Sequence, residues 1–149
     1  MNHLRDDIRI DAPIEHVWAF LCDTSHWHDW DPRSEYSDFS GPIDRVGTTY
    51  VDTSRFMGFE MKGTNEVVEV DPPWFLHIRS DFGPMDVFYR LEEDGRNRTR
   101  VLVEATYEMP GHLPGWIKDL MTKSWVERYT RQQLEDFKAL AELRVPAMA

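Results

Sequence analysis

Hydrophobic and polar residues alternate along much of this chain, and the places where the alternation stops mark its elements. Residues 4–10 set Leu4, Asp6, Ile8 and Ile10 against Arg5, Asp7 and Arg9, the period-two pattern of a half-buried strand. The pattern ends at Asp11-Ala12-Pro13-Ile14-Glu15. Proline at a first helical position followed by an acid predicts a short amphipathic helix carrying Val17, Trp18, Phe20 and Leu21. Asp23-Thr24-Ser25 caps a second short helix with Trp27 and Trp30 on it, and Asp31-Pro32 closes it because the residue before proline avoids helical angles.

Between about residues 33 and 109 turn signals recur at Gly41-Pro42, Gly47, Gly58, Asp71-Pro72-Pro73, Gly83-Pro84 and Asp94-Gly95, which predicts strands joined by hairpins. One parity of these strands holds Phe59, Met61, Asn65 and Val67, then Leu76, Ile78 and Ser80, then Met85, Val87, Tyr89 and Leu91, then Val101, Val103, Ala105 and Tyr107. The other parity is mainly charged, with His77, Arg79, Asp81, Asp86, Arg90 and Glu104. An antiparallel sheet with one wet face is expected, and Gly58 and Gly63 are where a bulge would invert the assignment. After Pro110-Gly111-His112-Leu113-Pro114-Gly115, one helix is predicted from about Trp116 to Leu143, roughly 42 Å at 1.5 Å per residue, with Pro146 as its stop. Its stripe is broken. Leu113, Ile117, Leu120, Leu134, Phe137 and Ala141 share one side, Trp125, Val126 and Tyr129 swing to the other, and Lys123, Ser124 and Glu127 face where the core should be.

The length of 149 residues suits one domain, taken as 1–149. A net charge of −10, with the acids scattered, makes nucleic acid an unfavourable partner. Cys22 is the only cysteine, so an internal disulfide and a thiolate metal cluster are both excluded, which suits a reducing cytoplasm. The longest apolar run, Val17 to Cys22, is far below the ~20 residues of a membrane helix, so membrane insertion is not expected. His26, His28, Asp29 and Asp31 are close enough in sequence to raise a metal site. His26 and His28 do not share a helix face, however, and the favoured reading has the two tryptophans inward, the histidines wet and no cofactor. No phosphate-binding glycine loop and no nucleophile elbow occur, which argues against nucleotide and serine-hydrolase chemistry.

The order strand, two short helices, antiparallel meander and long closing helix resembles the SRPBCC superfamily, the START-like or helix-grip fold shared with the birch-pollen allergen. The local carriers are Ile8-Arg9-Ile10-Asp11-Ala12-Pro13 leading into Val17-Trp18-Ala19-Phe20-Leu21, Trp27-His28-Asp29-Trp30-Asp31-Pro32, Val67-Val68-Glu69-Val70-Asp71-Pro72-Pro73, and the stretch from Thr99 to Gly111. They are most similar to the polyketide cyclase/dehydrase and lipid-transport branch. The resemblance implies an α+β fold with a curved seven-strand antiparallel sheet and a long C-terminal helix over a hydrophobic cavity. Lipids, quinones and polyketides are the ligand classes it implies.

On that expectation, Phe59, Met61, Leu76, Ile78, Val87, Val101 and Val103 form the apolar inner wall. Trp27, Trp30, Trp116 and Leu120 stand at the mouth, while Asn65, Ser80, Tyr89, Tyr107 and Glu127 orient the ligand. Three roles remain open at this point. A non-catalytic binder or carrier leads, because the inner parity holds few titratable groups. A cyclase or dehydratase that works by positioning is the alternative. A protein-interaction module using Trp125 and Tyr129 is the third, and the same aromatic side offers a homodimer contact if it is exposed.

Overall fold

The alternating segments become strands in the computed structural model, which describes residues 1–143: β1 (Asn2–Ile10), β2 (Ser34–Ser37), β3 (Thr49–Phe56), β4 (Phe59–Asp71), β5 (Phe75–Ser80), β6 (Met85–Glu93) and β7 (Thr99–Tyr107). They form one sheet in the order β1-β7-β6-β5-β4-β3-β2, antiparallel throughout. The first and last strands pair along their whole length, Asn2 opposite Tyr107 and Ile10 opposite Thr99. Helices α1 (Ile14–Cys22) and α2 (Trp27–Trp30), with a 3₁₀ turn over Thr24–His26 between them, follow β1 as expected.

The parity read from the alternation holds on β5, β6 and β7. Leu76, Ile78, Leu91, Val101, Val103 and Ala105 are buried, and on the outer face His77 Nε2 donates to Asp86 at 2.7 Å and the ring stacks on Phe88. The bulge lies between Val67 and Glu69, not at Gly58 or Gly63. It switches β4 from odd residues facing inward, up to Val67, to Val70 facing the core. Gly63 is needed for another reason, since a Cβ there would sit 2.9 Å from Phe82 Cβ. Gly83 closes the β5–β6 turn at φ +56°, where a Cβ would meet the Glu108 carbonyl oxygen at 2.2 Å.

The single closing helix is instead two: α3 (Gly115–Leu120) and α4 (Lys123–Leu143), while the expected stop at Pro146 lies outside the described residues. Thr122 makes the break. Its hydroxyl accepts from the Trp125 N–H at 3.2 Å and its carbonyl from the Val126 N–H, so a new helix starts there with its own phase. In that phase Val126, Thr130, Leu134, Phe137 and Ala141 follow one another at helical spacing on the inward side. Lys123, Ser124 and Glu127 are exposed on the half of α4 that has no core beneath it, which removes the cost of burying two charges.

The C-terminal half of α4 is clamped down. Phe137 meets the rings of Phe20 at 5.1 Å and Trp30 at 5.3 Å, His16 Nε2 reaches the Ala141 carbonyl at 2.9 Å, and Lys138 donates to the Arg9 carbonyl at 2.9 Å. The N-terminal half has no such floor and roofs a cavity. A smaller cluster of Phe56, Met61, Leu113 and Ile117, with Phe59, Phe82, Met121 and Trp125 against it, joins α3 to the far end of the sheet. No helix among the described residues is long and apolar enough to cross a membrane.

Candidate ligand cavity

The cavity measures about 300 Å³ and lies between the inner face of the sheet and the first turns of α4. Of the expected wall residues, Met61, Ile78, Val87 and Val103 line it, as do the polar Asn65, Ser80, Tyr89 and Tyr107. Trp27 and Trp30 line it from α2, but deep within the fold and not at its mouth, 4 % and 7 % exposed. The Trp27 indole N–H is spent on the Leu21 carbonyl at 2.7 Å, which fixes the ring. The Trp30 indole nitrogen is buried without a hydrogen-bond partner among the described residues.

Six expected residues lie elsewhere. Leu76 is fully buried in the main core, and Val101 reaches only a separate void of about 30 Å³ under α4. Phe59 packs in the smaller cluster. Trp116 and Leu120 are about half exposed on α3, away from the cavity, and Glu127 is exposed on α4. In exchange, Trp125, Val126 and Tyr129 line the cavity. The aromatic side that offered a surface for a second copy or another protein is therefore the roof of the cavity. In place of a free surface it presents stacked rings, Trp125 on Tyr129 with centroids 5.4 Å apart.

The polar chemistry of the cavity comes mostly from residues the alternation did not single out. On β3 the even residues Tyr50, Asp52, Ser54 and Phe56 all line it, and Val51 and Thr53 point the other way. The β3–β4 register sets this, since Tyr50 lies opposite Asn65 and Ser54 opposite Met61. Asp52 stands opposite Gly63, over which Phe82 and Ser80 pack. The inward reading of Asn65 and Met61, carried across that hairpin, was the signal available for Asp52.

Asp31, at the end of α2 and 7 % exposed, accepts hydrogen bonds from two tyrosines: Tyr129 at 2.5 Å on one carboxylate oxygen, and Tyr36 on the other. Two donors on one carboxylate satisfy a buried charge that would otherwise be costly. Burial, with Asp31 nearby, raises the pKa of both tyrosines well above the ordinary phenol range, so they stay protonated donors. Tyr50 and Tyr89 are raised by burial in the same way.

Asp52 differs. Its one side-chain partner among the described residues is Asn65, whose Nδ2 donates at 3.4 Å. Burial pushes its carboxyl up to about 6, the Asn65 hydrogen bond works against this, and Asp31 and Asp81 add to the rise. At the rim the Arg33 guanidinium lies over Phe56, Trp125 and Tyr129, between 5.3 and 5.8 Å from their centroids.

Among the described residues no group of three or more His, Cys, Asp and Glu is placed to hold a metal ion. His26 instead pairs with Asp29 at 2.9 Å. Cys22 is half-buried, and burial pushes its thiol up to about 12, so it is a poor nucleophile.

The family model described as polyketide cyclase / dehydrase and lipid transport matches residues 1–142. The chain belongs to that family. Solved structures similar to this cyclase/dehydrase family member include the Zhui aromatase/cyclase from Streptomyces sp. R1128, at 20% identity and TM-score 0.78, covering 98% of this chain and 96% of that one. TTHA0849 from Thermus thermophilus follows at 17% identity and TM-score 0.73, covering 94% and 97%. Ara h 8.0201 is similar at 11% identity and TM-score 0.67, covering 94% and 97%. At these identities the structural likenesses establish the helix-grip fold. No curated protein matches the chain in sequence. Family membership supports a role in binding a hydrophobic ligand or in cyclase chemistry.

Proposed function

We propose that this cyclase/dehydrase family member binds one hydrophobic small molecule of the lipid, quinone or polyketide type in the cavity beneath α4. The observation that carries the reading is the division of the cavity wall. Met61, Ile78, Val87, Val103 and Ala105 supply apolar surface, and Asp31, Tyr36, Asp52, Asn65 and Tyr129 supply a few fixed polar groups. Apolar walls with few convergent polar groups are the usual make-up of a small-molecule site. The test is mass spectrometry of compounds extracted from natively purified protein, compared with a Val87→Trp variant whose new ring fills the cavity. A stoichiometric apolar compound present in the wild type and lost in the folded variant is expected. A wild-type protein that carries none, and takes up no fatty acid, quinone or aromatic probe in titration, overturns the reading.

Asp52 favours one second reading. A carboxyl pushed up to about 6 is matched to taking and returning a proton near neutral pH, and Tyr50, Tyr89 and Tyr107 line the same cavity. A cyclase or dehydratase would use these groups, together with the positioning that a closed apolar cavity provides. The two readings separate on Asp52→Asn, which removes turnover of a poly-β-ketone substrate in the enzyme and leaves affinity for a neutral apolar ligand intact in both.

A further inference from the structure

We infer, resting on the ligand-binding reading above, that the ligand carries a basic nitrogen and that Asp52 is the carboxylate that meets its charge. The inventory of ionisable groups around the cavity points this way. Three carboxylates line it, Asp31 and Asp52 within and Glu108 at its exposed edge, and among the described residues no lysine or histidine does. The two arginines that do are both exposed and both engaged. Arg33 lies over three aromatic rings, and Arg55 pairs with Glu60 at 3.6 Å with its side chain 73% exposed. Glu108, the remaining charged lining residue, is exposed and acidic.

The two inner carboxylates are not equivalent. Asp31 is satisfied on both oxygens by tyrosine hydroxyls. Asp52 has the long Asn65 hydrogen bond alone, where a carboxylate can accept about four. The groups that act on it are Asn65 from β4, Tyr50 beside it on β3, Tyr36 from β2, Asp31 after α2 and Asp81 after β5, and none of them is a cation. A carboxylate left in this state is costly to the fold unless a positive group arrives.

The rings around it suit such a group. Trp27, Tyr36 and Tyr50 are mutually packed, with centroids 5.0 to 6.0 Å apart, and Tyr89 lines the same cavity. Aromatic faces attract ammonium groups, and an apolar body would fill the remaining wall. A ligand bearing its own carboxylate would meet like charge instead.

The experiment is calorimetric titration of the full-length protein with three probes that share an apolar body and differ in head group: naphthylethylamine, naphthylethanol and naphthylacetic acid. The amine is expected to bind at least about tenfold tighter than the alcohol, and the acid weakest. Between about pH 5 and about pH 7.5 the amine's affinity rises as Asp52 ionises, while the alcohol's does not move. Asp52→Asn brings the amine's affinity down to that of the alcohol, and a circular dichroism spectrum matching the wild type shows that the variant is folded. Alcohol or acid binding as tight as the amine, or an advantage that survives Asp52→Asn, overturns the inference and leaves the hydrophobic-ligand reading standing. Failure of all three probes counts against both.

Discussion

Asp86 and Asp52 are aspartates on strands of one sheet, and the two faces of that sheet treat them in opposite ways. On the outer face burial works to raise Asp86, but hydrogen bonds from His77 and Arg79 outweigh it and hold the carboxyl below its ordinary value. On the inner face burial acts on Asp52 with only Asn65 to resist it, and the carboxyl is pushed up to about 6. The outer charge has cross-strand partners and belongs to the sheet's own stability. The inner charge has room beside it and too few partners, which is the condition of a group kept for a ligand.

The contrast is broken most strongly by emptying the inner face. Leu76→Ala, at a fully buried position, should lower unfolding free energy in denaturant by about 2–5 kcal/mol, whereas Arg79→Ala on the outer side of the same strand should cost ~0–1 kcal/mol. Comparable losses from the two would mean that the outer pairs contribute far more than exposed charges normally do.

Asp52→Asn tests the inner charge. A carboxyl raised from 3.8 to about 6 binds its proton more tightly in the folded state, so its contribution is favourable below about pH 4 and is lost as pH climbs through about 6. The neutral amide should therefore stabilise the ligand-free protein near pH 7, by at most about 3 kcal/mol, and flatten the decline in melting temperature between about pH 4 and pH 6. An unchanged pH profile would mean that Asp52 is solvated and titrates normally.

Asp86→Asn should have the smallest effect and the opposite sign. Its lowered carboxyl contributes stability that is present above about pH 4 and lost as pH falls through its folded-state value. Replacing it should cost ~0–1 kcal/mol near pH 7 and nothing in strong acid, read from thermal melts across that range.

The outer face was legible in the sequence because period-two alternation decides it locally. His77, Arg79 and Asp86 share a parity with other charged residues, and no distant element is needed to place them outside. The inner face was legible where its residues are apolar, as with Ile78, Val87 and Val103. Asp52 was not, because β3 turns a carboxylate and a serine inward and Val51 outward, against hydrophobicity, and only pairing with β4 sets that orientation. Tyr129 and Trp125 were misplaced for a different reason. They do lie away from Leu134 on the helix, since α4 is continuous from Lys123 to Leu143, but its N-terminal half roofs the cavity and presents them to it, whereas its C-terminal half presents Leu134, Phe137 and Ala141 to the core. Trp116 and Leu120 belong to the separate helix α3, and Glu127, on the Leu134 side of α4, is exposed in the half of that helix that roofs the cavity.

The sequence by itself determined the strand parity, the two short helices after β1 and the order of the elements, since each is read from residues near one another along the chain. Only the tertiary structure decided which carboxylates share the cavity. Asp31, Asp52 and Tyr129 come from a helix end, a strand and the closing helix, and the environment of each is set by the other two elements. A charge is neutral to a local pattern; what it costs and what it can bind depend on the partners folding brings within reach.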